Sequence, residues 1–169
     1  MQINVIAQSR IAVLDANTTV QMKNSNEIEV FIFLLPDCPA SNYYGQLLNA
    51  YANYYKPFKV NFYGVFPGNF FSMEEMKQYA IDNKIAFELF HDPEKMLVQK
   101  WKATTAPSCF LIYKNEVIYH GAIDNSIVAL GGMKRRAGIK HYLLTAIESK
   151  LNGNQVAHSF QNPVGCFID

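Results

Sequence analysis

Apolar residues recur along this chain with two spacings, and the switches between them mark out its elements. In residues 2–22, short apolar groups (Ile3, Val5; Ile11, Val13; Val20, Met22) flank the turn-like Asp15-Ala16-Asn17, which predicts a strand pair. A polar break at Asn24-Ser25-Asn26 follows. Ile28 to Leu35 is nearly all apolar, β-branched or aromatic, the pattern of a strand covered on both faces at the centre of a sheet. From Pro39 to about Tyr55 the spacing changes: Tyr44, Leu47, Leu48, Tyr51 and Tyr54 line one face of a helix, which Lys56-Pro57 ends.

The alternation continues. Phe58 to Phe66 predicts a second strand, and the break Pro67-Gly68-Asn69 leads to Ser72-Met73-Glu74-Glu75, a capping box that opens a helix running to about Asn83. Phe87 to Phe90 predicts a short strand. Asp92-Pro93-Glu94 predicts a helix start with Asp92 as cap and Pro93 in the first turn, burying Met96, Leu97 and Trp101. Cys109 to Tyr113 and Val117 to Tyr119 flank Lys114-Asn115-Glu116 as a hairpin. Gly131-Gly132 interrupts the chain, and Ile139, Leu143, Ala146, Ile147 and Leu151 predict a last helix closed by Gly153.

A strand-helix-strand unit crosses over to a parallel neighbour, whereas a hairpin is antiparallel. The order therefore predicts an α/β chain with a mixed central sheet, helices on both faces and an N-terminal β extension, the layout of a thioredoxin-like fold. One domain is expected over residues 1–169, with a strand pair in 1–25 and a C-terminal tail over 154–169.

With 169 residues, 50% of them hydrophobic, the chain can bury a core without crosslinks. Fifteen basic against 14 acidic residues leave a net charge of +1 and no basic stripe that would track nucleic acid. Val30 to Pro36 is the most apolar stretch, far short of the roughly 20 residues of a membrane helix. The first dozen residues lack a signal-type apolar block. The compartment stays open: cytoplasmic for the chain as it stands, extracytoplasmic if an export signal has been removed. Three cysteines are too few for a disulfide scaffold and direct attention to reactivity instead.

Cys38 stands where the Ile28–Leu35 strand gives way to a helix. Unpaired amides and the helix dipole at such a junction favour an anion, and cysteines so placed have pKa values lowered to between about 3.5 and 7.5. Pro39 suits a first helical turn, where its missing N–H costs nothing. The alternative is that Cys38 is a small buried hydrophobe and Asp37 does the capping.

Asp37-Cys38-Pro39-Ala40-Ser41-Asn42 resembles the "DCPxSN" signature of peroxiredoxin-like redoxins, thioredoxin-fold proteins of the alkyl hydroperoxide reductase and thiol-specific antioxidant group. Thr105-Ala106-Pro107, the segment Tyr119 to Asn125 against "YxGxIDD", and Val164-Gly165-Cys166-Phe167-Ile168 against "VGCxI" extend the resemblance over about residues 28–168. It implies a catalytic Cys38 and a proline, usually cis, at Pro107 beside it. Two departures stand out. Peroxiredoxins carry Thr three residues before the attacking cysteine and an Arg nearby; here Leu35 fills the first place and no Arg lies near Pro107. Ser41 fills the second position of the Cys-x-x-Cys pair of thioredoxin-type enzymes, so a mixed disulfide on Cys38 needs a resolving thiol from elsewhere. Cys166 is the internal candidate, with Gly165 allowing close backbone approach. It is otherwise filler in a tail that merely packs. Cys109, on an apolar strand, reads as core.

His91, His120, His141 and His158 have no metal-ligand spacing, Gly131-Gly132-Met133-Lys134 lacks a phosphate-loop ending, and Lys134-Arg135-Arg136 reads as a solvated helix start. The tyrosines between Tyr43 and Tyr55 divide between core face and rim. Two functions are weighed. The first is a thiol–disulfide oxidoreductase or peroxiredoxin-like antioxidant protein acting through Cys38, with Pro107 and Cys166, no metal or organic cofactor, and a protein or small-molecule thiol, disulfide or peroxide as partner. The second is a non-catalytic binding module that keeps the fold, motivated by Leu35, Ser41 and the missing Arg.

Overall fold

A computed structural model describes residues 13–15, 27–129 and 138–169. In chain order the elements are β1 (Val13–Asp15), β2 (Ile28–Phe33), α1 (Pro39–Tyr55), β3 (Val60–Pro67), α2 (Met73–Asp82), β4 (Glu88–Asp92), α3 (Met96–Trp101), β5 (Thr105–Ala106), β6 (Ser108–Tyr113), β7 (Glu116–Gly121), α4 (Tyr142–Leu151), β8 (Phe160–Gln161) and β9 (Cys166–Phe167). Among the described residues, seven strands form a mixed sheet in the order β1-β4-β3-β2-β6-β7-β8, and β5 pairs with β9 in a separate ribbon. β2 is parallel to β3 and antiparallel to β6, at the centre, as its unbroken apolar run predicts.

Register assigns side chains to the two faces of the sheet. Phe31 and Phe33 of β2 stand opposite Tyr63 and Val65 of β3, while Phe31 also stands opposite Phe110 of β6 and Val65 opposite Phe90 of β4. Trp101 of α3 lies on this aromatic layer, with ring centroids 4.9 Å from Phe31 and a stacked 5.4 Å from Phe110. Val30, Ile32, Phe62 and Leu111 occupy the other face, on which Phe66 meets Tyr79 of α2 edge-on at 5.7 Å. Helices therefore cover both faces. Val30, Ile32, Phe33 and Leu34 are wholly buried, and each such side chain contributes about 1.5–3 kcal/mol. That makes β2 a rigid support for the chain that leaves its C-terminal end.

Several boundaries differ from expectation for local reasons. β1 pairs with β4 in parallel, and Asp15, expected in a turn, ends that strand; the remainder of the expected N-terminal strand pair, like Gly131-Gly132, lies outside the described residues. Asp92 caps α3 from a distance rather than beside it. Lys95 takes a left-handed conformation (φ 55°) and the helix begins at Met96, so Pro93 precedes it. The buried Asp92 carboxylate still accepts from the Met96, Leu97 and Val98 amides at 2.8, 2.9 and 3.3 Å. Lys114 and Asn115 (φ 51° and 65°) make the hairpin turn by themselves, leaving Glu116 in β7. Ile139 precedes α4 and is exposed. The Ser72–Glu75 capping box forms as predicted.

Candidate redox site

β2 ends at Phe33, and the chain runs through Leu34–Asp37 into α1 with Cys38 as its N-cap and Pro39 in the first turn. No side chain caps this 17-residue helix, so Asp37 does not do so. The first intrahelical bond runs from the Asn42 amide to the Cys38 carbonyl at 3.1 Å. Amides at such an entrance have no carbonyl one turn back within the helix, and their dipoles converge on the N-cap residue. Cys38 is also completely buried. Cys38 therefore combines the helix-entrance position of one sequence reading with the burial of the other, without the Asp37 cap that accompanied the latter.

The entrance is braced by polar side chains. Asn42 donates to the carbonyls of Pro36 and Cys38 at 3.1 and 3.2 Å, and its own oxygen accepts from Asn83 at 2.9 Å. Ser41 is buried; its hydroxyl accepts from the Leu35 amide at 3.2 Å, and its carbonyl accepts from Tyr79 at 2.9 Å. The position that carries a second cysteine in a Cys-x-x-Cys pair is thus a bracket for the loop before the helix. Leu35, where peroxiredoxins carry Thr, is buried and has no side-chain polar group. The three arginines, Arg10, Arg135 and Arg136, all lie outside the described residues.

The Ala106–Pro107 peptide is cis, and the Ala106 carbonyl oxygen lies 3.4 Å from the Cys38 sulfur. Across the same residue runs β9. Thr105 pairs with Phe167 and Ala106 with Cys166, and the Ile168 amide donates to the Thr104 carbonyl at 3.0 Å. Gly165 lies so close to Ala106 that a Cβ there would sit inside the carbonyl oxygen and 3.0 Å from the Pro107 nitrogen. This close approach brings Cys166 to Cys38, and the two form a disulfide with Cα atoms 6.0 Å apart, 128 residues apart in sequence. Cys38, Pro107 and Cys166 therefore meet at one place. The β5–β9 ribbon that brings them together had no counterpart in the sequence reading, because two-residue strands carry no periodicity.

The tail is held at two further points. The His120 and Ala122 amides donate to the Ser159 and Gln161 carbonyls at 2.8 and 2.9 Å, where Gly121 (φ 116°) leaves no room for a side chain against Gln161. Lys95 donates to the Asp169 carbonyl and lies 5.2 Å over the Phe70 ring. Phe167 projects outward, 80% exposed.

Cys109 is apart from this site. It is fully buried, its thiol donates to the Gly121 carbonyl at 3.4 Å, and burial raises its pKa far above the usual thiol range. Beside the entrance, a cavity of about 240 Å³ opens between Pro36–Asp37 and α2, with Phe71 and Tyr79 in its wall and Glu75 and Asp82 at its rim. Among the described residues no group of three His, Cys, Asp or Glu side chains is placed to hold a metal, and no helix is long and apolar enough to cross a membrane.

No protein-family model matches the sequence, and no curated protein matches it. Solved structures do resemble it. An uncharacterized conserved protein from Geobacillus kaustophilus superposes with a TM-score of 0.73 at 22% identity, covering 86% of this chain and 78% of the other. A hypothetical protein from Sinorhizobium meliloti gives 0.75 at 20% identity, covering 94% and 91%. A secreted Mycobacterium tuberculosis disulfide oxidoreductase, homologous to the E. coli protein DsbE, gives 0.50 at 16% identity, covering 57% and 69%.

Proposed function

We propose that this chain, which has the thioredoxin fold, works as a thiol–disulfide oxidoreductase in which Cys38 and Cys166 cycle between dithiol and disulfide. The observation that carries this reading is the convergence of two cysteines far apart in sequence on the entrance of α1, next to a cis-proline. A packing disulfide has no need of a helix entrance; a sulfur that must exist as a thiolate does. In the reduced protein Cys38 attacks a disulfide sulfur of the substrate and expels the other as a thiolate. Cys166 then attacks Cys38 in the mixed disulfide, releases the substrate's second thiolate and closes the bond seen here. Pro107, buried here beside Gly165, borders the substrate once the tail has lifted from Cys38. The disulfide oxidoreductase among the neighbours agrees with a thiol or disulfide substrate.

Within this class, the resemblance of the Cys38 and Cys166 motifs to peroxiredoxin-like redoxins makes a peroxide a second oxidant for the Cys38 thiolate. Leu35, which offers no hydroxyl to orient a peroxide, ranks it below disulfide exchange. The same absence, with Ser41, motivates the rival reading of a non-catalytic module.

The test is turnover of a small disulfide and of hydrogen peroxide with a dithiol donor, on wild type, Cys38→Ser and Cys166→Ser. Loss of disulfide turnover in both variants, a trapped mixed disulfide on Cys38 in Cys166→Ser, and a Cys38 pKa below about 8.5 are expected. Wild type that turns over neither oxidant faster than Cys38→Ser does would leave the binding module as the better account.

A further inference from the structure

The two cysteines of the closed bond differ in burial. Cys38 is 0% exposed, whereas Cys166 is half-buried on a tail whose next residue, Phe167, is 80% exposed. Thiol–disulfide exchange proceeds by attack on one sulfur along the bond axis from the side opposite the other, so access decides which sulfur is struck. Cys38 offers no surface for that approach. The leaving groups differ as well. Expelled Cys38 departs as a thiolate at the uncapped entrance of α1, and a thiol of lower pKa leaves faster.

Resting on the reading that this disulfide cycles, we infer that electrons enter it at Cys166: an external dithiol attacks the Cys166 sulfur, and Cys38 is the leaving group. In the first step one thiolate of the reductant bonds to the Cys166 sulfur, the Cys38–Cys166 bond breaks, and its electron pair departs on Cys38. In the second, the reductant's other thiol loses its proton to solvent and attacks its own partner sulfur in the mixed disulfide. Cys166 leaves as a thiolate and takes up a proton. The dithiol has become a disulfide, and two electrons reside on Cys38 and Cys166. The half-reactions thus use different sulfurs: the reductant meets Cys166, and the oxidised substrate meets Cys38 once the bond that holds the tail over it is open. β9 stays in place until then, held by the disulfide itself with Ile168 on Thr104 and Lys95 on Asp169 beside it.

The experiment uses the oxidised, full-length wild-type protein. It is mixed with glutathione, stopped with acid over a series of short times, alkylated with N-ethylmaleimide and mapped by peptide mass spectrometry; a parallel sample receives dithiothreitol. Extrapolated to zero time, glutathione is expected on Cys166 and the maleimide on Cys38, by about tenfold or more over the reverse pattern. Glutathione on Cys38, or an even split, would overturn the inference and leave the cycling pair intact. A bond that neither thiol opens in the folded protein would remove the inference and the proposed function together.

Discussion

Gly165→Ala tests whether the close passage of the tail over Ala106 sets the stability of the disulfide. A Cβ at this position would overlap the Ala106 carbonyl oxygen and lie 3.0 Å from the Pro107 nitrogen, both backbone atoms that cannot swing aside as a side-chain tip would. β9 would have to lift, and Cys166 with it. Forcing a methyl group into a filled site costs about 1–3 kcal/mol. That cost falls on the closed form, because the open form is free to place the tail elsewhere. For a two-electron couple, about 1.4 kcal/mol corresponds to about 30 mV, so the reduction potential should rise by about 20–65 mV. Equilibration in dithiothreitol buffers of graded ratio, followed by maleimide gel shift, reads the fraction oxidised directly. Reduced wild type and reduced variant should melt together, which separates a local effect from misfolding. A variant with the wild-type potential would refute the reasoning, since the tail could then close the bond without this approach.

Other outcomes follow from particular contacts. Asp92→Ala removes the acceptor of the Met96, Leu97 and Val98 amides and should cost about 2 kcal/mol in urea unfolding, against little change for a surface residue such as Glu94. The His120 ring lies 5.6 Å from Phe110 and 4.7 Å from Phe160, and burial lowers its pKa from the usual 6.5. The unfolded chain then takes up this proton first, so the contribution is complete above the unfolded pKa and declines as pH falls through that value; His120→Phe should flatten the fall in urea midpoint between about pH 7.5 and about pH 5. Thiol titration should find no reactive thiol in the folded oxidised protein, one after unfolding (Cys109) and three after unfolding with reduction.

Most of the framework was legible because it rests on local pattern. The helix over Pro39–Tyr55 follows from the spacing of its apolar face and from the prolines that border it, and the Ser72–Glu75 box marks α2 by hydrogen bonds three residues apart. The start of α3 was misread because Asp92 reaches past a left-handed Lys95, a backbone choice no periodicity announces. Much of the site was hidden for a different reason. β5 and β9 owe their existence to one another across some sixty residues of chain and are too short to alternate. Cys166 could be nominated from the glycine beside it and from Ser41 in the second position, but its meeting with Cys38 is made by a tail whose path, paired to β7 through β8, no local pattern announces. The bonds of Ser41 and Asn42 to Tyr79 and Asn83 are likewise tertiary, since those partners arrive only when α2 packs beside α1.

A disulfide between an N-cap residue and one a turn later would lie within a single helix and constrain little else. The bond here joins two separate elements, and one of them is weak without it. A ladder of two residue pairs is marginal in water, so β9 owes its place largely to the covalent link. Reduction should therefore release residues after Gln161 while β8 stays on the sheet, making the redox state of Cys38 and its exposure a single variable. Amide exchange distinguishes the two segments. The Ile168 amide, bonded to Thr104, should be protected in the oxidised protein and exchange at least about tenfold faster after reduction, whereas the Ala122 amide, bonded to Gln161, should be protected in both. Equal protection of Ile168 in the two states would mean that packing alone holds the tail, and that a substrate reaching Cys38 must displace β9 against that packing rather than find it already gone.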